Sequence, residues 1–230
     1  MPNYFLTCDI LGFSKMVSNL DSNTLQQRIR VWIDLVEAAR HSSGVEEVQF
    51  ISDTVFAREE NSGDGLMRLL AFARLLLEKG IGRACPVRGA ISHGEVAWGR
   101  LTYGKAVLDA HRLEVSQDWI GFSCAPGLPR IDSMWSWDRV VVYPVPKQTG
   151  NIQLAPVLVW NVPALQQLAN RTTSEGLYQE GELLPWEWQQ KLIQTVLFAK
   201  SIEHGRKSRH LSPSNFAYTM PADLLNVIGS

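Results

Sequence analysis

The fold is decided by the segment Tyr4-Phe5-Leu6-Thr7-Cys8-Asp9-Ile10-Leu11-Gly12-Phe13-Ser14. Its first part is rich in aromatic and β-favouring residues and ends in a carboxylate, which predicts a strand over residues 4–9. Taken alone, a carboxylate in the position of Asp9 is more often a helix N-cap or a turn residue than a ligand. A second feature of the chain is therefore needed before Asp9 indicates a function.

That second feature is a carboxylate in a predicted hairpin. Residues 45–51 and 54–57 have the pattern of two short strands, and Ser52-Asp53 forms the tight turn between them. If strand 4–9 pairs with this hairpin, Asp9 and Asp53 project from neighbouring strand ends into one place. Two converging carboxylates repel each other and stay ionised easily only when a cation lies between them. The pair therefore predicts a divalent metal site suited to phosphoryl transfer.

The remaining pattern predicts an α+β fold. Apolar residues at helical spacing predict helices over 24–40, 66–79 and 105–118. Further strands are predicted at 86–92 and 95–98, which turn at His93-Gly94, and at 140–145 and 156–160. Hairpins that alternate with helix crossovers indicate a sheet with helices on one face rather than a doubly wound parallel sheet. We predict a catalytic domain over residues 1–163 and a helical C-terminal extension over 164–230 that packs on the same domain.

Composition excludes several classes of protein. The chain has 230 residues, a net charge of −1 and 45% hydrophobic residues, which is typical of an ordinary globular protein. Nothing gives it the basic face that duplex nucleic acid requires. The N-terminus lacks signal-peptide features, and no apolar run is long enough to span a bilayer. The three cysteines show no metal-ligand spacing. We expect a reduced, cytoplasmic protein with no nucleic-acid or membrane partner.

Four segments, in order, resemble the motifs of class III adenylate and guanylate cyclases. They are Cys8–Ser14 (D-I-x-G-F-S/T), Phe50–Phe56 (a Gly-Asp hairpin), Val87–Val96 (R-x-G-I-x-x-G-x-V) and Tyr103–Glu114 (Y/W-G-x-x-V-N-x-A-x-R-L). The resemblance covers roughly residues 4–145. It implies a ferredoxin-like, palm-type sheet and an enzyme that cyclises a nucleoside triphosphate with release of pyrophosphate.

The resemblance also implies roles for individual residues. Asp9, Asp53 and the backbone carbonyl of Ile10 fall on the ligands of two Mn²⁺ or Mg²⁺ ions. Arg88 falls on an arginine that binds the triphosphate, and Arg112 on the arginine that stabilises the transition state. A guanidinium suits both roles because its fixed fork of donors matches phosphate oxygens. In this family the aspartates and the helix arginine come from different protomers, which implies a homodimer.

Four positions depart from the family pattern, and one of them is Ser52, which replaces the glycine of the hairpin, a change that a turn tolerates. Gln49 and Leu101 replace the residues that read a purine base, and Leu108 replaces the helix asparagine. Either the domain is degenerate and inactive, or it is an active enzyme with another substrate.

The Ser-Asp hairpin and the run Ala110-His111-Arg112-Leu113-Glu114 resemble the bacterial Pycsar cyclases, which make cyclic UMP or cyclic CMP in response to phage. That resemblance implies UTP, or else CTP, as substrate. It also implies a base contacted by Gln49 or Phe50, and a separate effector that senses the product.

Overall fold

The computed structural model describes residues 2–83, 85–129, 134–136, 138–160, 172–173, 176–179, 182–183, 186–208 and 212–213. In chain order the elements are β1 (Pro2–Ile10), α1 (Phe13–Asn19), α2 (Ser22–Ser43), β2 (Glu47–Ile51), β3 (Thr54–Glu60), α3 (Gly63–Gly82), β4 (Val87–Glu95), α4 (Lys105–Ser116), β5 (Gly121–Cys124), β6 (Val140–Pro146), β7 (Ile152–Leu158), β8 (Thr172–Thr173), β9 (Gly176–Gln179), β10 (Glu182–Leu183) and α5 (Trp186–Lys207). None of the described helices is long and apolar enough to cross a membrane.

A seven-stranded mixed sheet forms the centre of the molecule, with the strand order β2-β3-β1-β4-β5-β7-β6. Strand β1 pairs antiparallel with β3 on one side and with β4 on the other. Strands β4 and β5 are parallel, and β7 pairs antiparallel with both β5 and β6. This arrangement confirms the predicted α+β class.

The side chains of β1 alternate between the two faces of the sheet. Its even-numbered residues Tyr4, Leu6, Cys8 and Ile10 belong to the large core, which also contains apolar residues of α2, α3 and α5. Asp21 caps the N-terminus of α2, because its carboxylate accepts hydrogen bonds from the N–H groups of Asn23 and Thr24. Gly44 caps the C-terminus with a left-handed φ of 76°. Helices α2 and α3 therefore cover this face of β1.

Helix α4 lies on the opposite face, so the prediction that helices occupy one face is wrong for this helix. Phe5 of β1 and Ala90 of β4 point away from the large core and form a second cluster with Ala106 and Ala110 of α4. Phe5 also contacts Phe56 at 5.2 Å between ring centroids. The physical reason is that β1 carries apolar side chains on both faces, so both faces need a cover.

Two strand predictions also need correction. The predicted turn at His93-Gly94 does not form, because β4 runs through it and pairs with β1 over its whole length, from Val87 to Glu95. The ring of His93 contacts that of Tyr4 at 5.1 Å, and its Nε2 lies 3.0 Å from Oδ1 of Asn61. Strand β5 was not predicted, since its four residues include a glycine and a serine and are fully buried.

The C-terminal extension contains strands as well as a helix. Strands β8, β9 and β10 form a small antiparallel sheet ahead of α5, so the extension is not helical throughout. The predicted boundary at residues 163 and 164 lies outside the described residues. Helix α5 packs on the main sheet through Phe198, whose ring meets Trp119 at 5.0 Å and Tyr143 at 4.8 Å, both edge-on.

Phe198→Ala should destabilise the whole domain. Phe198 is 1% exposed, and removal of a buried aromatic ring typically lowers the free energy of unfolding by about 3–5 kcal/mol. Ile193→Ala on the same helix is the control, because Ile193 is 43% exposed and surface substitutions usually stay within about 0.5 kcal/mol. Urea unfolding followed by tryptophan fluorescence measures both. Equal stability of the two variants would contradict the docking of α5.

Candidate active site

The two aspartates meet at one end of the sheet. Pairing between β1 and β3 runs up to Cys8 opposite Val55, so Asp9 continues past the last paired residue toward the β2–β3 turn. That turn is closed by the pairing of Ile51 with Thr54, which leaves Ser52 and Asp53 at its tip. The structure therefore brings together the two carboxylates that the sequence singled out.

Ser52 adopts a left-handed backbone conformation with a φ of 61°, which among the described residues no other non-glycine residue shows. A side chain in this region is strained by roughly 1–2 kcal/mol relative to glycine. This backbone geometry explains why the family motif has glycine at this position. The chain keeps the tight turn, and with it the placement of Asp53, in spite of the strain.

The environment of Asp9 is unfavourable for its own charge. Burial raises the pKa of the Asp9 carboxyl above its ordinary value, a hydrogen bond from the Thr54 side chain lowers it, and the nearby charge of Asp53 raises it again. Arg88 and His111 contribute smaller lowering effects on the same pKa. One oxygen of Asp9, Oδ1, is buried and has no hydrogen-bond partner among the described residues. A buried acceptor of this kind is a site where a cation would be favourable.

A pair of divalent ions fits this arrangement. The described residues contain no group of three or more His, Cys, Asp or Glu side chains suited to a metal, so side-chain ligands at this end of the sheet are the two aspartates. Hard cations such as Mg²⁺ bind through one or two carboxylates and take further oxygens from substrate phosphates and water. Ile10 is the last residue of β1, which places its backbone beside Asp9.

Arg88 lies opposite Asp9 in the register of β1 and β4. Its Nε donates to Oε1 of Glu114 at 2.7 Å, and its Nη1 donates to the backbone carbonyl of Gln117 at 3.0 Å. Both contacts attach the guanidinium to the C-terminal turn of α4. Burial raises the pKa of Glu114 to about 7, against the lowering effect of Arg88 and with raising contributions from Asp9 and Asp53.

Arg112 lies on a different flank of α4. It is exposed and lines a cavity of about 400 Å³ together with Lys105, Asp109 and Gln153. Neither Asp9 nor Asp53 lines this cavity. The structure therefore brings Arg88 to the aspartates but does not bring Arg112 to them within one chain.

Of the two predicted base-contacting residues, Gln49 lies beside the loop that connects β4 to α4, whereas Phe50 pairs with Val55 of the large core and points to the opposite face of the sheet. The Gln49 amide donates to the carbonyl of Gly99 at 2.9 Å and accepts from the Thr102 hydroxyl at 2.7 Å. Because a backbone carbonyl can only accept, these contacts fix which end of the amide is the nitrogen. Phe50 is 37% exposed and Leu101 is 73% exposed.

Sequence reasoning missed three residues that shape this region. Thr54 donates to Asp9, His111 lies close enough to lower the pKa of Asp9, and Glu114 is the fully buried partner of Arg88. Glu114 could have been found from the helical period, because it falls on the same face of α4 as Ala106, Ala110 and Leu113. A carboxylate on an apolar helix face indicates a buried ion pair or a functional site.

Comparisons with solved structures identify the fold. The dimeric guanylyl cyclase domain of a RhoGC fusion protein from the aquatic fungus Blastocladiella emersonii is 18% identical, with a TM-score of 0.55 over 68% of this chain and 96% of that domain. A monomeric form of that domain gives a TM-score of 0.56 at 16% identity, over 69% and 94%. The guanylate cyclase domain of RhGC from Catenaria anguillulae, in complex with GTP, gives 0.52 at 17% identity, over 69% and 96%.

No protein-family model and no curated protein matches the chain. Its fold is that of class III cyclase domains.

Asp9→Asn should stabilise the metal-free protein and remove its response to metal. In chelator at pH 7 the variant loses a buried charge that faces Asp53, so its free energy of unfolding should rise by on the order of 1 kcal/mol. Mn²⁺ at ten times its Kd should raise the free energy of unfolding of the native protein by about 1.4 kcal/mol. The same Mn²⁺ concentration should raise that of the variant much less. Chemical unfolding with and without Mn²⁺ measures this. The exposed Asp34→Asn is the control, and equal stabilisation of Asp9→Asn by Mn²⁺ would contradict the metal site.

Proposed function

We propose that this chain is a metal-dependent nucleotide cyclase that converts UTP to 3′,5′-cyclic UMP and pyrophosphate. The observation that carries the proposal is the meeting of Asp9 and Asp53 beside Arg88 on a fold of the cyclase type. In a cyclase domain, carboxylates at this position have a chemical purpose, whereas for stability alone their mutual repulsion is unfavourable.

In the proposed reaction the ribose 3′-hydroxyl releases its proton to solvent and attacks the α-phosphorus of the same nucleotide, the new 3′-oxygen–phosphorus bond forms, and the bond from the α-phosphorus to pyrophosphate breaks. Two Mg²⁺ or Mn²⁺ ions held by Asp9, Asp53 and the Ile10 carbonyl would supply charge neutralisation and a lower pKa for the attacking hydroxyl. Arg88 binds the triphosphate. Arg112 donates to the phosphate oxygens as charge builds on them. The chain supplies no covalent nucleophile.

The proposed enzyme is a homodimer with two composite centres. Arg112 lies outside the aspartate site of its own chain, which supports its delivery to a partner's centre. Large apolar side chains are exposed at the end of β2, on the loop that connects β4 to α4, and on α4: Ile51 is 52%, Leu101 73%, Tyr103 60% and Leu108 56% exposed. Large exposed apolar side chains are candidates for a surface that a partner covers, and a second copy of the chain fits a two-fold arrangement.

A pyrimidine substrate is supported by what the base region contains. Gln49 and Leu101 occupy the positions that read purines in the family, and the Gln49 amide is already engaged by Gly99 and Thr102. UTP is the first candidate and CTP the alternative, with Gln49 rather than Phe50 beside the base, because Gln49 and Asp9 point to the same face of the sheet. The resemblance to Pycsar cyclases supports a cyclic nucleotide messenger in antiphage defence, which a separate effector would sense.

A nucleotide-binding module without turnover is the second candidate. The apolar Leu108 favours it, because leucine cannot donate a hydrogen bond at the helix position where the family has asparagine.

Incubation of the purified protein with Mn²⁺ and each of the four nucleoside triphosphates tests the reaction. We expect cyclic UMP and pyrophosphate from UTP, and a fall of at least 1,000-fold in turnover for Asp53→Ala, in line with the loss of metal-assisted catalysis. Product can be followed by mass spectrometry. Preference for ATP or GTP would replace the pyrimidine assignment with a purine cyclase, and metal-dependent binding without product would establish the binding module.

Mixed dimers test the composite centre. Asp53→Ala and Arg112→Ala should each be inactive alone, but a heterodimer of the two has one intact centre. Random exchange of equal amounts yields half heterodimers, so activity should return to about a quarter of the native value. If both groups acted within one chain, the mixture would stay inactive.

A further inference from the structure

The C-terminal turn of α4 contains a carboxylate for which the proposed reaction has no direct use. Glu114 is completely buried, and its Oε1 accepts the 2.7 Å hydrogen bond from Nε of Arg88, which is 11% exposed. The Gln117 carbonyl accepts a second bond from the same guanidinium. A guanidinium has five N–H donors. With two used, the Nη2 group and one Nη1 hydrogen have no role in these contacts.

Glu114 is only half satisfied. Its second oxygen, Oε2, is buried without a hydrogen-bond partner among the described residues, and Nδ1 of the His111 imidazole lies 3.9 Å from it, beyond hydrogen-bond distance. A buried carboxylate with one free oxygen, near Asp9 and Asp53, is unfavourable for folding. Stability does not explain why the chain keeps a carboxylate here.

The turn that carries Glu114 is held firmly. Nζ of Lys147 donates to the Ser116 hydroxyl at 2.7 Å, and the N–H of Gln148 donates to the Ser116 carbonyl at 3.0 Å. The Gln117 side chain donates to the Gly89 carbonyl at 3.0 Å. Glu114 therefore projects from a support fixed both to β4 and to the β6–β7 hairpin.

We propose that Glu114 is the positioning residue for Arg88: it holds the guanidinium in one orientation, so that its free donors meet the triphosphate rather than Asp9. The inference rests on the proposed function. Asp9 is paired with Arg88 in the register of β1 and β4, and the charge of Arg88 already lowers the pKa of the Asp9 carboxyl. Without Glu114, Asp9 is therefore a carboxylate available to the guanidinium. An Arg88–Asp9 pair would withdraw the guanidinium from the phosphates and compete with the metal for the carboxylate.

Calorimetric binding of inorganic tripolyphosphate with Mg²⁺ tests the role without any catalysis. Glu114→Gln should bind tripolyphosphate about tenfold more weakly than the native protein, because a charge-assisted hydrogen bond no longer orients the guanidinium. The double variant Arg88→Gln/Glu114→Gln should bind no worse than Arg88→Gln alone, since Glu114 acts through Arg88. Glu37→Gln, which removes an exposed Glu–Arg pair on α2, is the control and should leave affinity unchanged.

Unchanged affinity in Glu114→Gln, or additive effects in the double variant, would overturn the proposal. If Glu114→Gln is too unstable to purify, Glu114→Asp keeps the charge but shortens its reach, and native affinity in that variant would overturn it equally. A loss of affinity that is not additive supports the role even if no triphosphate is cyclised, which separates this result from a failure of the proposed reaction.

Placement in mixed dimers distinguishes positioning from a general structural role. In the heterodimer described above, the Arg112→Ala chain supplies Arg88 and both aspartates to the intact centre. Glu114→Gln on that chain should raise KM for the triphosphate about tenfold, whereas the same change on the Asp53→Ala chain should leave KM unchanged. Equal effects from both placements would show that Glu114 only supports the fold.

Discussion

The alternation of side chains along β1 is the constraint on which the rest of the molecule depends. Its even-numbered residues bury themselves against α2 and α3, and its odd-numbered residue Phe5 packs toward α4. Because the period is two, Asp9 must continue the series of Phe5 and Thr7 and point to the α4 side of the sheet. A shift of one residue would place the carboxylate in the core and Cys8 at the site. The position of the proposed metal ligand Asp9 is thus set by the packing of residues earlier in β1.

The charged groups at this end of the sheet do not balance one another. Asp9, Asp53 and Glu114 contribute three carboxylates, and the guanidinium of Arg88 opposes the charges of Asp9 and Glu114. Negative charge therefore exceeds positive charge among these four groups. Such an imbalance is unfavourable for the folded chain and favourable for divalent ions with a triphosphate, which bring charges of both signs in fixed geometry. The proposed site therefore favours ligand binding at the expense of the stability of the folded chain.

How far the sequence predicts this structure differs from one element to the next. Asp9 and Asp53 could be placed together because both lie at strand ends, where a short-range pattern determines position. The path of β4 through His93-Gly94 could not, since the dipeptide favours a turn locally and only the full length of β1 offers it a partner strand. β5 is short and buried on both faces, so its sequence lacks the alternation of polar and apolar residues that indicates a strand. The position of Glu114 depends on which side of the sheet α4 covers, and this is determined by tertiary packing rather than by the local sequence.

Helix α5 has a consequence for how this molecule comes into being. Every residue assigned to the proposed centre lies between positions 9 and 117, yet the rings of Trp119 and Tyr143 are covered by Phe198 in the middle of α5. During synthesis the chain is made from the N-terminus, so the ribosome has produced all residues of the proposed centre before the layer over Trp119 and Tyr143 can close. Completion of that half of the core waits for α5 to emerge from the ribosome.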